Sequence, residues 1–440
     1  MHPPDPIGIQ KTKDLMRRIK GWTIVVTFLV TLVGVVLYLN FSSGEKKIEQ
    51  QIPRLYATDH PQFRRSLSAL LGPQVLDGNK VEALLNGDQI FPVMLADIRA
   101  AKRTITFETY IYWSESIGQE FAGALAERAA AGVKVHVLLD WIGSVKMDEA
   151  ALAAMKAAGV EIVRYHEPRW WNLTRLNNRT HRKVLVVDGR IGFTGGVGIA
   201  DQWRGSAQDR RQWRDSHFRV VGPVVAQMQA VFMDNWIKAT GRVLHGEAYF
   251  PALQAGGDAA AQMFSSSPTG GSESMHLMVL LAITAAERSI HLSSSYFVPD
   301  ELAVRALSDA ARRGVKVQII TPGGEIDTEF VRRASRSRWG PLLKAGVQIA
   351  EYQTTMFHCK VLVVDERLVS VGSTNFDNRS FRLNDEANLN VLDERFARRQ
   401  VEVFNDDLKR AHPMTLSAWE QRPLLEKMVE QFASLFGAQL

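Results

Sequence analysis

Two stretches of the chain each place a histidine and a lysine two positions apart, directly before a run of apolar residues. The first contains His181 and Lys183 before residues 184–187, and the second contains His358 and Lys360 before residues 361–364. The β-branched runs predict buried strands. Because side chains two apart on a strand point to the same side, each histidine shares a face with its lysine. Imidazole and ammonium groups together suit a phosphate group.

A glycine follows each motif at the same spacing. Gly195 and Gly196 end the return strand of the first copy, and Gly372 precedes Ser373 and Asn375 in the second. Backbone amides and hydroxyl groups at such positions bind small anions, so Gly195, Gly196, Ser373 and Asn375 are predicted to shape a phosphate pocket. The first copy has glycine where the second has Ser373 and Asn375, which predicts unequal roles. One copy alone could equally be an ordinary strand, whereas two copies in register favour a functional site.

The elements that must position these motifs are duplicated as well. Residues 100–107 match residues 285–292, and residues 130–139 match residues 312–320. In each pair a helix end is followed by a strand. Each half therefore reads as strand–helix–strand–helix–strand with a hairpin, which is an α/β pattern.

The paired HxKxxxxD pattern resembles the phospholipase D superfamily over residues 86–405. In detail it resembles the bacterial phospholipase D-type cardiolipin synthases, through residues 178–183, 192–196 and 372–380. The resemblance implies two tandem lobes related by pseudo-two-fold symmetry, each a mixed β-sheet flanked by helices.

The resemblance also implies a mechanism through a phosphohistidine, without a cofactor or a metal. His181 is expected to be the nucleophile, because the N-terminal motif usually carries it in this superfamily. His358 is expected to be the general acid and base, and Lys183 and Lys360 are expected to bind the phosphate.

Four acidic residues complete the predicted site. Asp188 and Asp365 belong to the motifs and are expected to have a structural or orienting role at the far ends of their strands. The superfamily also has a downstream acidic residue that holds the other nitrogen of each histidine, and Asp215 and Glu386 are the candidates. The alternative for these two residues is an exposed surface carboxylate.

The N-terminal region contains an apolar segment. Residues 22–41 contain no charged side chain and are long enough to span a bilayer as a helix. A cleaved signal peptide is the alternative, but no small-residue cleavage site follows. The basic residues before the segment outnumber those after it, so the tail at residues 1–21 is expected to be cytoplasmic and the catalytic part to lie on the outer side of a bacterial inner membrane.

The other predicted boundaries follow from composition and periodicity. We expect a juxtamembrane linker and lead-in helix at 42–85, a first lobe at 86–250, a connector at 251–274, a second lobe at 275–411 and a C-terminal helix at 412–440. Residues 263–268 could instead be the first strand of the second half.

The resemblance, together with the apolar segment, implies a membrane-anchored phosphatidyltransferase that makes cardiolipin and glycerol from two phosphatidylglycerol molecules. The net charge of +6 favours anionic partners, and no nucleic-acid-binding motif is present. The alternatives are a phospholipase D that uses water, a nuclease of the same superfamily, and a lipid-binding protein without activity. Trp170 with Trp171, and the basic run at residues 332–338, could face the membrane or could be ordinary surface features.

Overall fold

A computed structural model of the chain describes residues 6–41, 48–167, 177–268 and 273–436. The pair Trp170 and Trp171 lies outside these residues. The structure separates into two units. The smaller unit contains helix α1 (Pro6–Phe41), in which Met16–Val36 is long and apolar enough to cross a membrane.

The larger unit contains both motifs. Its first half consists of α2 (Pro61–Leu71), β1 (Leu76–Leu85), α3 (Asn86–Ala100), β2 (Thr104–Thr109), α4 (Ser116–Ala130), β3 (Lys134–Asp140), α5 (Glu149–Ala157), β4 (Glu161–Tyr165), β5 (Arg179–Thr180), β6 (Val184–Val187), β7 (Ile191–Gly195), a 3₁₀ turn (Asp201–Trp203), β8 (Ser216–Val221) and α6 (Val225–Thr240).

The second half repeats this order with additions. It consists of β9 (Ala259–Ser266), α7 (Ser274–Ala285), β10 (Ser289–Ser294), β11 (Phe297–Val298), α8 (Glu301–Arg312), β12 (Lys316–Pro322), α9 (Glu329–Ser337), α10 (Trp339–Lys344), β13 (Gln348–Tyr352), β14 (Lys360–Val364), β15 (Leu368–Gly372), β16 (Phe376–Asp377), α11 (Asn378–Arg382), β17 (Asn384–Leu392), α12 (Glu394–Leu408), β18 (Ala411–Met414), α13 (Leu416–Glu420) and α14 (Leu424–Ser434).

One mixed sheet runs through both halves. Its strand order is β18-β13-β12-β10-β14-β15-β17-β9-β1-β8-β7-β6-β2-β3-β4. Leaving out β18, the order reads as a palindrome about the antiparallel contact between β9 and β1, with parallel pairs at the outer positions and antiparallel pairs inside. The α/β class and the pseudo-two-fold relation between the halves are therefore confirmed.

The motif strands are buried on both faces, which explains their unbroken apolar runs. In β6, Leu185 packs into the core of the first half, whereas Val184 packs into a core to which both halves contribute. In β14, Leu362 packs into the core of the second half, and Val361 packs into the shared core. The two motifs are thus attached to one shared core.

Three segments differ from the boundaries expected from the sequence. Residues 42–85, expected to be a linker and a helix, contain strand β1, which pairs with β8 and β9. The connector at 251–274 contains β9, so the alternative interpretation as an entry strand is the one observed. The region after residue 411 contains β18, α13 and α14 instead of one helix. Pro423, which cannot donate a helical hydrogen bond, separates α13 from α14.

Candidate active site

Within each motif the lysine lies beside its histidine. The Lys360 ammonium is 2.9 Å from the backbone oxygen of His358 and 3.3 Å from its Nε2. In the first motif, Lys183 Nζ donates to the backbone oxygen of His181 at 2.8 Å. The intervening Cys359 is buried, and burial raises the pKa of its thiol to about 12, so it is a packing residue.

Backbone hydrogen bonds join each histidine to the opposite half. The His181 N–H donates to the oxygen of Asp385 at 2.9 Å, beside the parallel pairing of β5 with β17. The His358 N–H donates to the oxygen of Arg214 at 2.8 Å. Each histidine is therefore aligned with a residue that immediately precedes a predicted orienting carboxylate.

The side chains follow the same crossed arrangement. His181 Nδ1 lies 3.0 Å from Oε1 of Glu386, and His358 Nδ1 lies 2.7 Å from Oδ2 of Asp215. Both carboxylates are fully buried, so the alternative interpretation as surface residues does not hold. With Nδ1 engaged in each ring, Nε2 is the nitrogen left to react.

Each carboxylate is held by further donors that differ between the halves. Glu386 accepts hydrogen bonds from the hydroxyl of Ser373 and from Asn384 Nδ2. Asp215 accepts from Trp203 Nε1 at 2.9 Å. A Cβ at Gly196, the counterpart of Ser373, would overlap Oδ1 of Asp215. Glycine in the first copy therefore makes room for the carboxylate rather than marking a missing phosphate donor.

Both histidines and Lys183 line one cavity of about 550 Å³ between the halves. The described residues that line it are Tyr110, Ile111, Trp113, Arg179, His181, Lys183, Gln202, Trp203, Trp213, Tyr296, Asp327, Thr328, Val331, His358, Asn375, Asp377, Arg379 and Asn384. A mixed aromatic and charged lining of this size suits a ligand with a polar headgroup and an apolar body.

The other predicted pocket residues have different surroundings. Asn375 lines the cavity, and its Oδ1 accepts a hydrogen bond from Ser295 Oγ at 2.6 Å. Gly195, at a φ of 156°, packs against His217, and Ser373 points to Glu386. The structure thus brings Asn375 to the cavity, puts Gly196 and Ser373 against the orienting carboxylates, and puts Gly195 against His217.

Asp188 and Asp365 each follow the end of the motif strand that is distant from the histidine. The Asp188 carboxylate accepts backbone N–H groups of residues 102–104, and Asp365 accepts those of residues 287–289. Both residues have a left-handed backbone, with φ of 53° and 54°. Each aspartate therefore fixes the turn that leads into the neighbouring strand.

Burial controls the charge states of the titratable groups in the site. It lowers the pKa of His181 to about 4 and that of His358 to about 3, assisted by Lys183 beside the first ring and Lys360 beside the second. Burial and the charge of Lys360 lower the pKa of Lys183 to about 7. Burial opposes ionisation of Glu386, but the contact with His181 outweighs it and keeps the pKa of that carboxyl low. Both imidazoles are therefore neutral at pH 7.

Several cavity residues were not predicted as site residues. Trp203 and Trp213 contact the His358 ring, with centroids 5.3 Å apart in both cases. Tyr110 contacts the His181 ring at the same centroid distance. Arg179 and Arg379 line the cavity from opposite halves. Arg179 lies two positions before His181, so its proximity to the motif is a signal that the sequence contains. The sequence contains no signal for the aromatic contacts.

The basic run predicted to face the membrane or solvent is mostly paired. Arg332 contacts Glu351 at 2.8 Å, and Arg336 contacts Glu426 at 2.6 Å. These pairs bind α9 to its neighbours. The run is therefore largely a structural feature.

Comparisons with known proteins agree with this geometry. Residues 94–232 and 279–408 match the family described as "Cardiolipin synthase, PLD-like domain", once in each half. The chain belongs to the phospholipase D-type cardiolipin synthase family. It is 34% identical to cardiolipin synthase 1 of Bacillus anthracis over 377 residues, covering 83% of this chain and 74% of that protein.

A second relative and a solved structure extend the comparison. The cardiolipin synthase of Geobacillus sp. (strain WCH70) is 35% identical over 404 residues, which cover 91% of this chain and 80% of the relative. The fold resembles the crystal structure of phosphatidylserine synthase from Haemophilus influenzae Rd KW20, with a TM-score of 0.65 at 14% identity, covering 86% of this chain and all of that one. The cardiolipin synthase family thus uses a fold that also occurs outside it.

Proposed function

We propose that this chain is a cardiolipin synthase that transfers a phosphatidyl group from one phosphatidylglycerol to the glycerol hydroxyl of a second. The observation that carries the proposal is the pair of buried histidines, each bound at Nδ1 by a carboxylate from the other half and both lining one cavity. Two imidazoles on a single phosphate can divide a difficult substitution into two steps.

In the first step, Nε2 of His181 attacks the phosphorus of the donor. A P–N bond forms, the P–O bond to glycerol breaks, and His358 gives its proton to the leaving oxygen. His181 must be neutral for this attack, which its lowered pKa favours. The phosphodiester anion favours a proton on His358 when it binds, because it adds negative charge to the site.

In the second step, His358 takes the proton of the acceptor hydroxyl, whose oxygen attacks the phosphorus. A new P–O bond forms, the P–N bond breaks, and cardiolipin leaves. Lys183 and Lys360 stabilise the charge on the phosphate oxygens in both steps. Glu386 and Asp215 hold the two rings and stabilise each imidazolium when it forms.

We also assign the acceptor lipid to the wall formed by Arg179 and Arg379. A transfer between two phosphatidylglycerols requires a second phosphodiester near the reacting one. Guanidinium groups bind phosphate oxygens in pairs of hydrogen bonds, and both arginines line the cavity that holds the histidines. A site that only used water would need no second anion subsite.

Analysis of the lipid products tests the proposal. The full chain is reconstituted in vesicles of phosphatidylglycerol, with His181→Ala and His358→Ala as variants. Cardiolipin with equimolar glycerol, lost in both variants, is the expected result. Phosphatidic acid without cardiolipin would identify a hydrolase and would overturn the proposal.

The apolar stretch of α1 supports a location at a membrane, where the substrate is found. We propose a single-pass protein of the bacterial inner membrane with its catalytic unit on the outer side, as the basic residues before the span suggest. Protease treatment of intact spheroplasts tests this orientation: the catalytic unit is expected to be cleaved, and its protection would reverse the assignment.

A further inference from the structure

Helix α14 is packed with its polar side inward. Glu430 is buried and lies 2.8 Å from Arg422, and Glu426 accepts a hydrogen bond from Arg336 at 2.6 Å. Large apolar side chains of the same helix face outward. Leu424 is 78% exposed and Met428 is 69% exposed. A helix on a water-facing surface normally buries its apolar side and exposes its polar side. The exposed apolar side of α14 is therefore expected to contact an apolar neighbour.

The exposed side chains recur on one side of α14 and reach α9 through ring contacts. We call these side chains the apolar face; it consists of Phe330 on α9 with Leu424, Leu425, Met428, Phe432, Leu435 and Phe436 on and after α14. Phe436 contacts both Phe330 and Phe432, with ring centroids 5.7 and 5.5 Å apart. A contiguous apolar patch of this kind marks an interaction site.

The apolar face adjoins the active-site cavity. Val331 follows Phe330 on α9 and lines the cavity, and it is buried together with Ala433 of α14. Asp327 and Thr328, just before α9, are exposed and also line the cavity. The apolar face and the rim of the cavity therefore share one short segment of chain.

The corresponding segment of the first half also exposes an apolar side chain. The connection between β3 and α5 matches the one that contains α9, and it exposes Val145 by 73%. In that connection Lys146 lies 3.8 Å from the ring centre of Trp113, which lines the cavity. Both halves thus expose apolar side chains on the connections that border the active site.

We propose that the apolar face docks into the surface of a lipid bilayer and holds the rim of the cavity at the level of the phospholipid headgroups. The same chain has an apolar helix long enough to cross a bilayer, so a membrane is the apolar medium available to it. A helix lying in the interface buries an apolar face of this kind among headgroups and acyl chains. The link to substrate entry rests on the proposed function, whereas the docking itself does not.

Site-directed fluorescence tests the docking independently of activity. Met428→Cys and Phe432→Cys are labelled with the environment-sensitive dye NBD in the full chain, reconstituted in phosphatidylglycerol vesicles. The native Cys359 is buried and does not compete for the label. Glu402→Cys, on the exposed side of α12, is the control. Labels at 428 and 432 should emit at shorter wavelength than the label at 402 and resist quenching by iodide.

Two results would overturn the proposal. Equal quenching of the three labels by iodide would show that the apolar face is in water. Protection that disappears when the protein is diluted to one chain per vesicle would show that a second copy covers the face. A protected label in a protein that makes no cardiolipin would contradict the proposed function and leave the docking intact.

A kinetic comparison tests the link to substrate entry. Met428→Glu should lower the rate on vesicles by about tenfold, because it removes one apolar side chain that the bilayer would cover. The rate on dispersed short-chain phosphatidylglycerol should be unchanged. Gln119→Glu, which adds the same charge on α4, should be neutral in both assays. Equal losses on vesicles and on dispersed lipid would contradict the link.

Discussion

Nδ1 of His181 lies 3.0 Å from Oε1 of Glu386, a residue 205 positions further along the chain. The reciprocal pair, His358 with Asp215, spans 143 positions. Neither half therefore contains a complete histidine–carboxylate pair of its own. The active site depends on the contact between the halves, which the pairing of β5 with β17 and the shared core maintain.

The crossed pairs predict different defects for the two carboxylates. Glu386→Gln should slow phosphoenzyme formation by about 100-fold, because it loosens the nucleophilic ring of His181. Asp215→Asn should mainly affect the general acid. With phosphatidyl-p-nitrophenol, whose leaving group needs no proton, Asp215→Asn should retain a rapid burst of nitrophenol that Glu386→Gln loses. The reverse pattern would make His358 the nucleophile.

Gly196 should be intolerant of any side chain. A Cβ there would overlap Asp215, so Gly196→Ala should displace that carboxylate from His358 and lower kcat by about tenfold or more. Gly123→Ala is the matched control, since nothing lies within 4 Å of its added methyl group on α4. It should keep full activity and gain about 1 kcal/mol of stability. Equal activity of the two variants would contradict this role of Gly196.

Asp365 should act in folding rather than in catalysis. Its carboxylate accepts three backbone N–H groups, so Asp365→Asn should lower the free energy of unfolding by about 1–3 kcal/mol. Asparagine tolerates the left-handed backbone, so the fold should persist. The thermal midpoint in detergent should fall while kcat per folded molecule stays constant. Glu366→Gln, at the exposed neighbour, should change neither; a lower kcat with an unchanged midpoint would indicate a catalytic role.

These residues show what the sequence could and could not predict. The spacing of His358 and Lys360 placed both on one face of a strand, because strand geometry is local. The duplicated segments also predicted the α/β halves. The partner of each histidine could not be assigned, because it depends on contacts between strands of different halves.

Helix α14 shows a second limit. Its apolar side chains recur every three or four residues, which correctly groups them on one face. Periodicity does not say whether that face points to the core or away from it. Here the buried Glu430 and its arginine partners turn the apolar face outward.

Arg179 and Arg379 should decide between transfer and hydrolysis. Arg379→Gln should weaken binding of the acceptor phosphate and lower the ratio of cardiolipin to phosphatidic acid by about tenfold. Consumption of the donor should fall less, since the histidines and lysines remain. Arg399→Gln, at an exposed position of α12, should leave the ratio unchanged. An unchanged ratio in Arg379→Gln and Arg179→Gln would remove both residues from the acceptor site.

The pH dependence of kcat/KM should differ between two donors. With phosphatidyl-p-nitrophenol the value should rise as His181 loses its proton near pH 4 and fall as Lys183 loses its charge near pH 7. Phosphatidylglycerol also needs a proton on His358, whose pKa is lowered by burial to about 3. Between about pH 4 and pH 7, kcat/KM for phosphatidyl-p-nitrophenol should be constant. Over the same range, kcat/KM for phosphatidylglycerol should decline as the pH rises.

Lysine variants assign the alkaline limb of the nitrophenyl profile. Lys183→Arg keeps its charge at all these pH values, so the limb should move to higher pH even though the rate falls. Lys360→Met should shift the limb in the same direction, because it removes the charge that lowers the pKa of Lys183. The conservative Lys360→Arg should leave the limb near pH 7. Identical pH profiles for the two lipid substrates would contradict the role of His358 as the proton donor. An unchanged alkaline limb in Lys183→Arg would exclude Lys183 as the group that causes it.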